Sequence, residues 1–208
     1  MPHTEEQFAA ALPQHVQTYA SLIMDVGQMA GMDPLILYGI GQQETLWGTA
    51  KALDVPGPGG TGDHTPRSYG PQTLARLGRH ITIIGQDPGG KSRCMPVDGR
   101  GWGRGLLQID WAAWLDWFIA GSNWADARTN VEKGASVFTM WRSYIASRST
   151  LQGDALNAAA ISAYNTGGGN VIKSIRLNRS PDATTADGAY SARVLRFVSI
   201  ARQSLGSA

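Results

Sequence analysis

The sequence predicts a mainly α, α+β fold in which two helical stretches flank an irregular insertion. Three observations lead there. Apolar residues recur at helical spacing before residue 49 and again after residue 104. Between those limits Gly and Pro are dense and the helical period vanishes. No stretch resembles another at a period of roughly 20–50 residues, which excludes a solenoid. A chain of 208 residues can fill one domain carrying a large insertion.

Taken in order, residues 14–48 read as two helices. The second opens on Asp33-Pro34, an N-cap followed by a proline at the first helical position, and Gly48 stops it. Residues 49–104 hold one strand-like run, His80 to Ile84. Helical spacing returns at Trp111–Ile119, Asp126–Ser147 and Asp154–Tyr164. A break at Gly167–Gly169 follows, then helices over Asn170–Leu177 and Tyr190–Ser204.

Composition narrows the function. Residues 1–50 carry five acids and no Lys or Arg, while the remainder sets 18 bases against 11 acids, a net of +7. That suits an anionic polymer such as a cell wall. The bases are scattered, with no basic run or basic-aromatic stripe, so nucleic acid is not an expected partner. Seven Trp and 26 Gly suit a carbohydrate groove, with core packing the alternative use of the indoles. Cys94 is alone, so packing rather than an intrachain disulfide must hold the fold. His3, His15, His64 and His80 show no metal-ligand spacing, and neither metal nor cofactor is expected. The sequence opens without the cationic and apolar regions of a Sec signal, and no apolar run approaches the roughly 20 residues of a membrane span.

Glu44 is the residue with the clearest chemistry. Leu37, Ile40 and Glu44 share one helix face, so the carboxyl continues an apolar stripe. Desolvation there favours the neutral acid, the form needed to protonate a glycosidic oxygen. The alternative is a carboxylate reaching water from a frayed helix end.

Four segments share the chain with it in a telling order. They are Glu44-Thr-Leu-Trp-Gly, Gly105-Leu-Leu-Gln-Ile-Asp110, Ala163-Tyr-Asn-Thr-Gly167, and Tyr190 with Val194 four residues on. In this order the sequence resembles the goose-type lysozymes and their lytic transglycosylase relatives, over about residues 30–48 and 98–205. The resemblance implies a lysozyme-like fold acting, as a monomer, on peptidoglycan glycan strands. It implies that Glu44 is the catalytic acid and that Asp98 and Asp110 are the two aspartates placed across the cleft. It implies that Tyr164 and Asn165 contact the sugar and its acetamido group, and that Tyr190 lies near the acid. Gln108 and Trp102 are further candidates for the groove wall.

Other uses compete at several of these positions. Asn165 could cap a helix, Asp110 could cap the segment after it, and Tyr190 could be core. Asp98 is preferred to Asp110 as a base that positions water, because flanking glycines allow close approach of substrate. More than fifty residues separate Glu44 from Asp98 where goose-type lysozymes have a much shorter link, which suggests an extra lobe.

The expected reaction is inverting hydrolysis of the β-1,4 bond between N-acetylmuramic acid and N-acetylglucosamine. The alternative is transglycosylation, giving 1,6-anhydromuramic ends. The missing Sec signal suits a phage endolysin, a virion enzyme or an injected effector. A wall-binding module without activity is a more distant rival. So is a nucleotide-binding protein, since Gly85-Gln-Asp-Pro-Gly-Gly-Lys91-Ser92 fits the P-loop letters. Pro96 and Gly99 follow too soon for the helix a P-loop needs. Gly57-Pro-Gly-Gly-Thr-Gly62 fits a dinucleotide fingerprint only by letters and reads as loop.

Overall fold

In chain order the elements are α1 (Glu5–Ala10), a 3-10 turn (Gln14–Tyr19), α2 (Ala20–Met29) and α3 (Pro34–Thr45). Next come β1 (Thr61–Gly62), β2 (Arg67–Tyr69), α4 (Pro71–Leu77), β3 (Ile81–Gln86) and β4 (Ser92–Pro96). They are followed by β5 (Gly103–Arg104), β6 (Ile109–Asp110), α5 (Leu115–Ile119) and α6 (Ala127–Ala146). The chain ends with α7 (Gly153–Thr166), α8 (Gly168–Arg176), a 3-10 turn (Pro181–Thr184) and α9 (Tyr190–Gly206). The computed structural model describes residues 4–206, so His3 lies outside it. No helix among the described residues is long and apolar enough to cross a membrane.

The fold is mainly helical with two small sheets, and it divides into two compact units. One is contiguous, Trp47–Asn130; the other comprises the residues before and after it.

The helical unit is organised around α3. Asp33 Oδ1 accepts from the Leu35 amide at 2.9 Å and Pro34 takes the first helical position, as the sequence predicts. Every residue from Leu35 to Gln42 is buried, which a helix apolar on all sides requires. Against it lies α9, with Tyr190, Val194, Val198, Ala201 and Leu205 buried at spacings of three and four. Gly39 sets how closely the two helices approach: a Cβ there would stand 2.9 Å from the Val194 carbonyl oxygen. A second cluster joins α6, α7 and α8 through Ile145, Leu156, Ala159, Ala163, Val171 and Ile172.

The inserted unit holds two antiparallel three-stranded sheets, in the orders β1-β5-β6 and β2-β4-β3. Its core is Leu77, Cys94, Trp102, Trp111, Ala112 and Leu115.

Several boundaries differ from the sequence reading. The expected His80–Ile84 strand is shifted to Ile81–Gln86, where it pairs with β4. The insertion also contains α4 and further strands that the absence of helical period concealed. The helix expected over Trp111–Ile119 starts only at Leu115, because the Asp110 carboxylate accepts from the Ala113 amide at 2.7 Å and holds a turn first. An additional helix, α1, opens on a capping box between Thr4 and Gln7. The P-loop-like segment is the β3–β4 hairpin turn, in which the Asp87 amide donates to the Lys91 carbonyl at 2.9 Å. Ser92 begins a strand, so no helix N-terminus stands behind Lys91 to receive phosphate.

Candidate active site

Glu44 sits in the last turn of α3, where the backbone stays helical and then turns sharply. The Leu46 amide donates to Gln42 O at 3.3 Å, and Leu46 and Trp47 both adopt positive φ. The helix end is therefore fixed rather than frayed. The phenolic hydroxyl of Tyr190, the first residue of α9, donates to Glu44 Oε1. Tyr190 is only 3% exposed, so this contact is shut off from bulk water on the tyrosine side.

Burial pushes the Glu44 carboxyl up to about 7, against a smaller downward pull from the Tyr190 hydrogen bond. Tyr164, on α7, is raised first by burial and then by the nearby negative charge of Glu44. Tyr190 is raised by burial and by the same charge, so both phenols stay protonated beside the acid. A half-buried carboxyl on this helix thus keeps a proton near neutral pH in the company of two phenols.

No family model and no curated protein matches this chain.

The remaining expected residues fall into two groups. Asn165 belongs with the helical unit. It is exposed next to Tyr164, and α7 runs past it to Thr166, with Gly167 at φ 85° as the cap. Capping therefore does not account for Asn165, and its amide faces solvent.

In the inserted unit, each aspartate is held by an arginine. Asp98 receives Arg104 Nη1 at 2.7 Å and Nη2 at 3.0 Å, and also the Arg100 amide at 3.1 Å. Burial works to raise its pKa, but those hydrogen bonds and the charges of Arg104 and Arg100 outweigh it and hold the carboxylate below its ordinary range. Arg104 is 3% exposed and lies 5.2–5.6 Å from the ring centres of Trp111, Phe118 and Trp124. Asp110 is paired with Arg67, which also reaches Asp63 at 2.6 Å. It serves the local turn as well, through Ala113.

Gln108 adopts φ 44° and its amide donates to the Gly105 carbonyl at 2.9 Å. Its Oε1 lies 2.4 Å from where a Cβ would stand on Gly62 or Gly103, so a side chain at either strand position would displace the Gln108 amide from its place. Gln108 is half-buried against this small sheet. Trp102 is a correction. At 0% exposure it belongs to the core, its indole N–H donating to the Thr65 carbonyl at 2.9 Å, so no face is left for a sugar.

Two features of the acid's surroundings escaped the sequence reading. Arg193, one turn beyond Tyr190, donates through Nε to Gln43 Oε1 at 3.0 Å and also pairs with Asp187, a second tie between α9 and the end of α3. Asp182 collects donors from α7 and α9. The local signal at Ser180-Pro181-Asp182 is only that of a helix start, and the partners are distant in sequence.

Proposed function

We propose that this chain cleaves the β-1,4 bond between N-acetylmuramic acid and N-acetylglucosamine in peptidoglycan, with Glu44 as the general acid. The carrying observation is the Glu44 carboxyl itself, pushed up to about 7 by burial at the end of α3 and touched by the Tyr190 hydroxyl. Protonation of a leaving glycosidic oxygen needs a carboxyl that still holds its proton at working pH. The order of the four sequence segments supplies the substrate class. Tyr164 and the solvent-facing amide of Asn165 offer a flat apolar surface and a paired donor and acceptor suited to an N-acetyl sugar.

A specific observation favours the second course of the reaction. Asp98 and Asp110 are both engaged by arginines, and both oxygens of each already accept from protein donors, which leaves less room to hold a water. With neither aspartate released, Glu44 acts first as acid and then as base while the muramyl 6-hydroxyl displaces the leaving group. The products then carry 1,6-anhydro ends. Hydrolysis with a water held by Asp98 or Asp110 gives reducing ends instead.

Two measurements test the reading. Glu44→Gln keeps size and polarity but has no transferable proton, so wall clearing by the folded variant is expected to vanish. Retention of more than a few per cent of wild-type clearing would overturn the assignment. Mass spectrometry of muropeptides released from purified sacculi then separates the two courses. Anhydro ends, with Asp98→Asn and Asp110→Asn near full activity, are expected. Reducing ends together with a loss of about a hundredfold or more at one aspartate would restore hydrolysis and identify the base.

A further inference from the structure

Asp182 is a charged residue only 4% exposed, in the 3-10 turn before α9. A buried carboxylate is tolerated only when its lone pairs are filled, and here donors from two helices fill them. Ser162 Oγ on α7 donates to Oδ1 at 2.6 Å. The Ser191 amide donates to both oxygens at 3.0 Å, Ser191 Oγ to Oδ2 at 2.7 Å, and the Ala192 amide to Oδ2 at 3.3 Å. Those two amides belong to the first turn of α9, whose donors have no partner within the helix.

The sequence neighbours of these donors are the residues at the acid. Ser191 directly follows Tyr190, and Ser162 lies two positions before Tyr164. We propose that Asp182 is a positioning residue of the Glu44 site, its carboxylate fastening the first turn of α9 to α7 so that the Tyr190 hydroxyl rests on Glu44. Resting on the reading of Glu44 as an acid, this names the device that keeps the acid's partner in place.

The geometry explains why a distant carboxylate does this work. An N-cap from the residue just before a helix fixes the first turn to its own approach and to nothing else. Asp182 stands nine residues before Ser191 and already carries a bond from α7, so it fixes the rotation of α9 relative to a second helix. The Tyr190 hydroxyl lies at the far end of a rigid ring. A small rotation at its Cα therefore swings it off an oxygen that demands hydrogen-bond distance. The negative charge at a helix N-terminus is favourable in itself. Those hydrogen bonds hold the Asp182 carboxyl below its ordinary range in spite of burial, so it stays ionised at neutral pH. The titratable groups facing Glu44 are Tyr190 from α9 and Tyr164 from α7, and both helices are held by this one carboxylate.

The test reads Glu44 directly, by its carboxyl carbon resonance against pH in the full chain. Tyr190→Phe removes the downward pull on Glu44, and its midpoint is expected to rise by about 0.5–1 pH unit, the worth of one hydrogen bond. Asp182→Asn places an amide donor against the Ser162, Ser191 and Ala192 donors, and is expected to raise the midpoint in the same direction. The double variant is expected to titrate with Tyr190→Phe alone, because both changes act through one contact. A folded Asp182→Asn protein with the wild-type Glu44 midpoint would overturn the proposal. So would additive shifts in the double variant, or a Tyr190→Phe midpoint that does not move.

If Asp182→Asn does not fold, Ser191→Ala serves in its place. It keeps the carboxylate and removes one donor, so a smaller rise is expected and an unchanged midpoint counts against the proposal. Sacculus clearing is measured beside these titrations. Coupled midpoints in a protein that clears no sacculi would leave the positioning role standing and overturn the proposed function.

Discussion

A carboxyl that keeps its proton up to neutral pH is expensive to ionise, and that expense falls on the folded state. Glu44 is raised from the ordinary 4.5 to about 7. Between those values the unfolded chain has already released the proton while the folded chain retains it. Folding therefore loses favour as pH climbs through that window, fully so above pH 7 and not at all below 4.5. The size is on the order of 3 kcal/mol. Glu44→Gln removes this titration. Its melting temperature is expected to match that of the wild type at pH 4 and to exceed it clearly at pH 8. Parallel melting curves for the two proteins across that range would mean that Glu44 is not raised. Asp182 acts with the opposite sign. Its pKa is depressed, so its stabilisation is present above the ordinary carboxylate range and is lost as pH falls through its folded value.

At the scale of elements, the contact between α3 and α9 carries the site, and Gly39 decides it. An alanine there gains about 1 kcal/mol of helix propensity over glycine. Its Cβ would also stand 2.9 Å from the Val194 carbonyl and 3.0 Å from a Val198 methyl. Backbone does not yield as a flexible side chain does, and overpacking of this kind costs about 1–3 kcal/mol. Gly39→Ala is thus expected to lower stability by a net of up to about 2 kcal/mol in urea unfolding, and to reduce clearing by moving α9 off Glu44. A more stable variant would show that the helices have room to part. The long helices α6, α7 and α9 were legible because each buries a stripe at helical spacing, and α3 because its apolar run opens on an Asp-Pro start signal. The sheets were not. Their strands are two to six residues long, and the pairing of Thr61 with Arg104 or Arg67 with Cys94 spans a distance no local pattern records. Trp102 was misread for the same reason: neighbouring glycines suggest an open loop, whereas its ring is buried by Leu77, Cys94 and Trp111 from elsewhere in the inserted unit.

For the molecule as a whole, the sequence made the helical frame and the interruption visible, together with Glu44 and its tyrosine. It did not show that the Gly-Leu-Leu-Gln-Ile-Asp segment folds with the insertion, in a unit that runs on to Asn130. Nor did it show that both candidate aspartates would be claimed by arginines, since Arg67 stands 43 residues from Asp110. The division of the chain has a consequence in time. Trp47–Asn130 is one unbroken run and is available to fold once it has been made. The helical unit has to wait, because α3 is made before that run and α9 after it. Glu44 and the tyrosine that touches it lie 146 residues apart. At about 5–20 residues per second that gap is about 7–30 s of synthesis. For that interval α3 has α2 beside it but not α9, and Glu44 stays without its tyrosine until α9 leaves the ribosome.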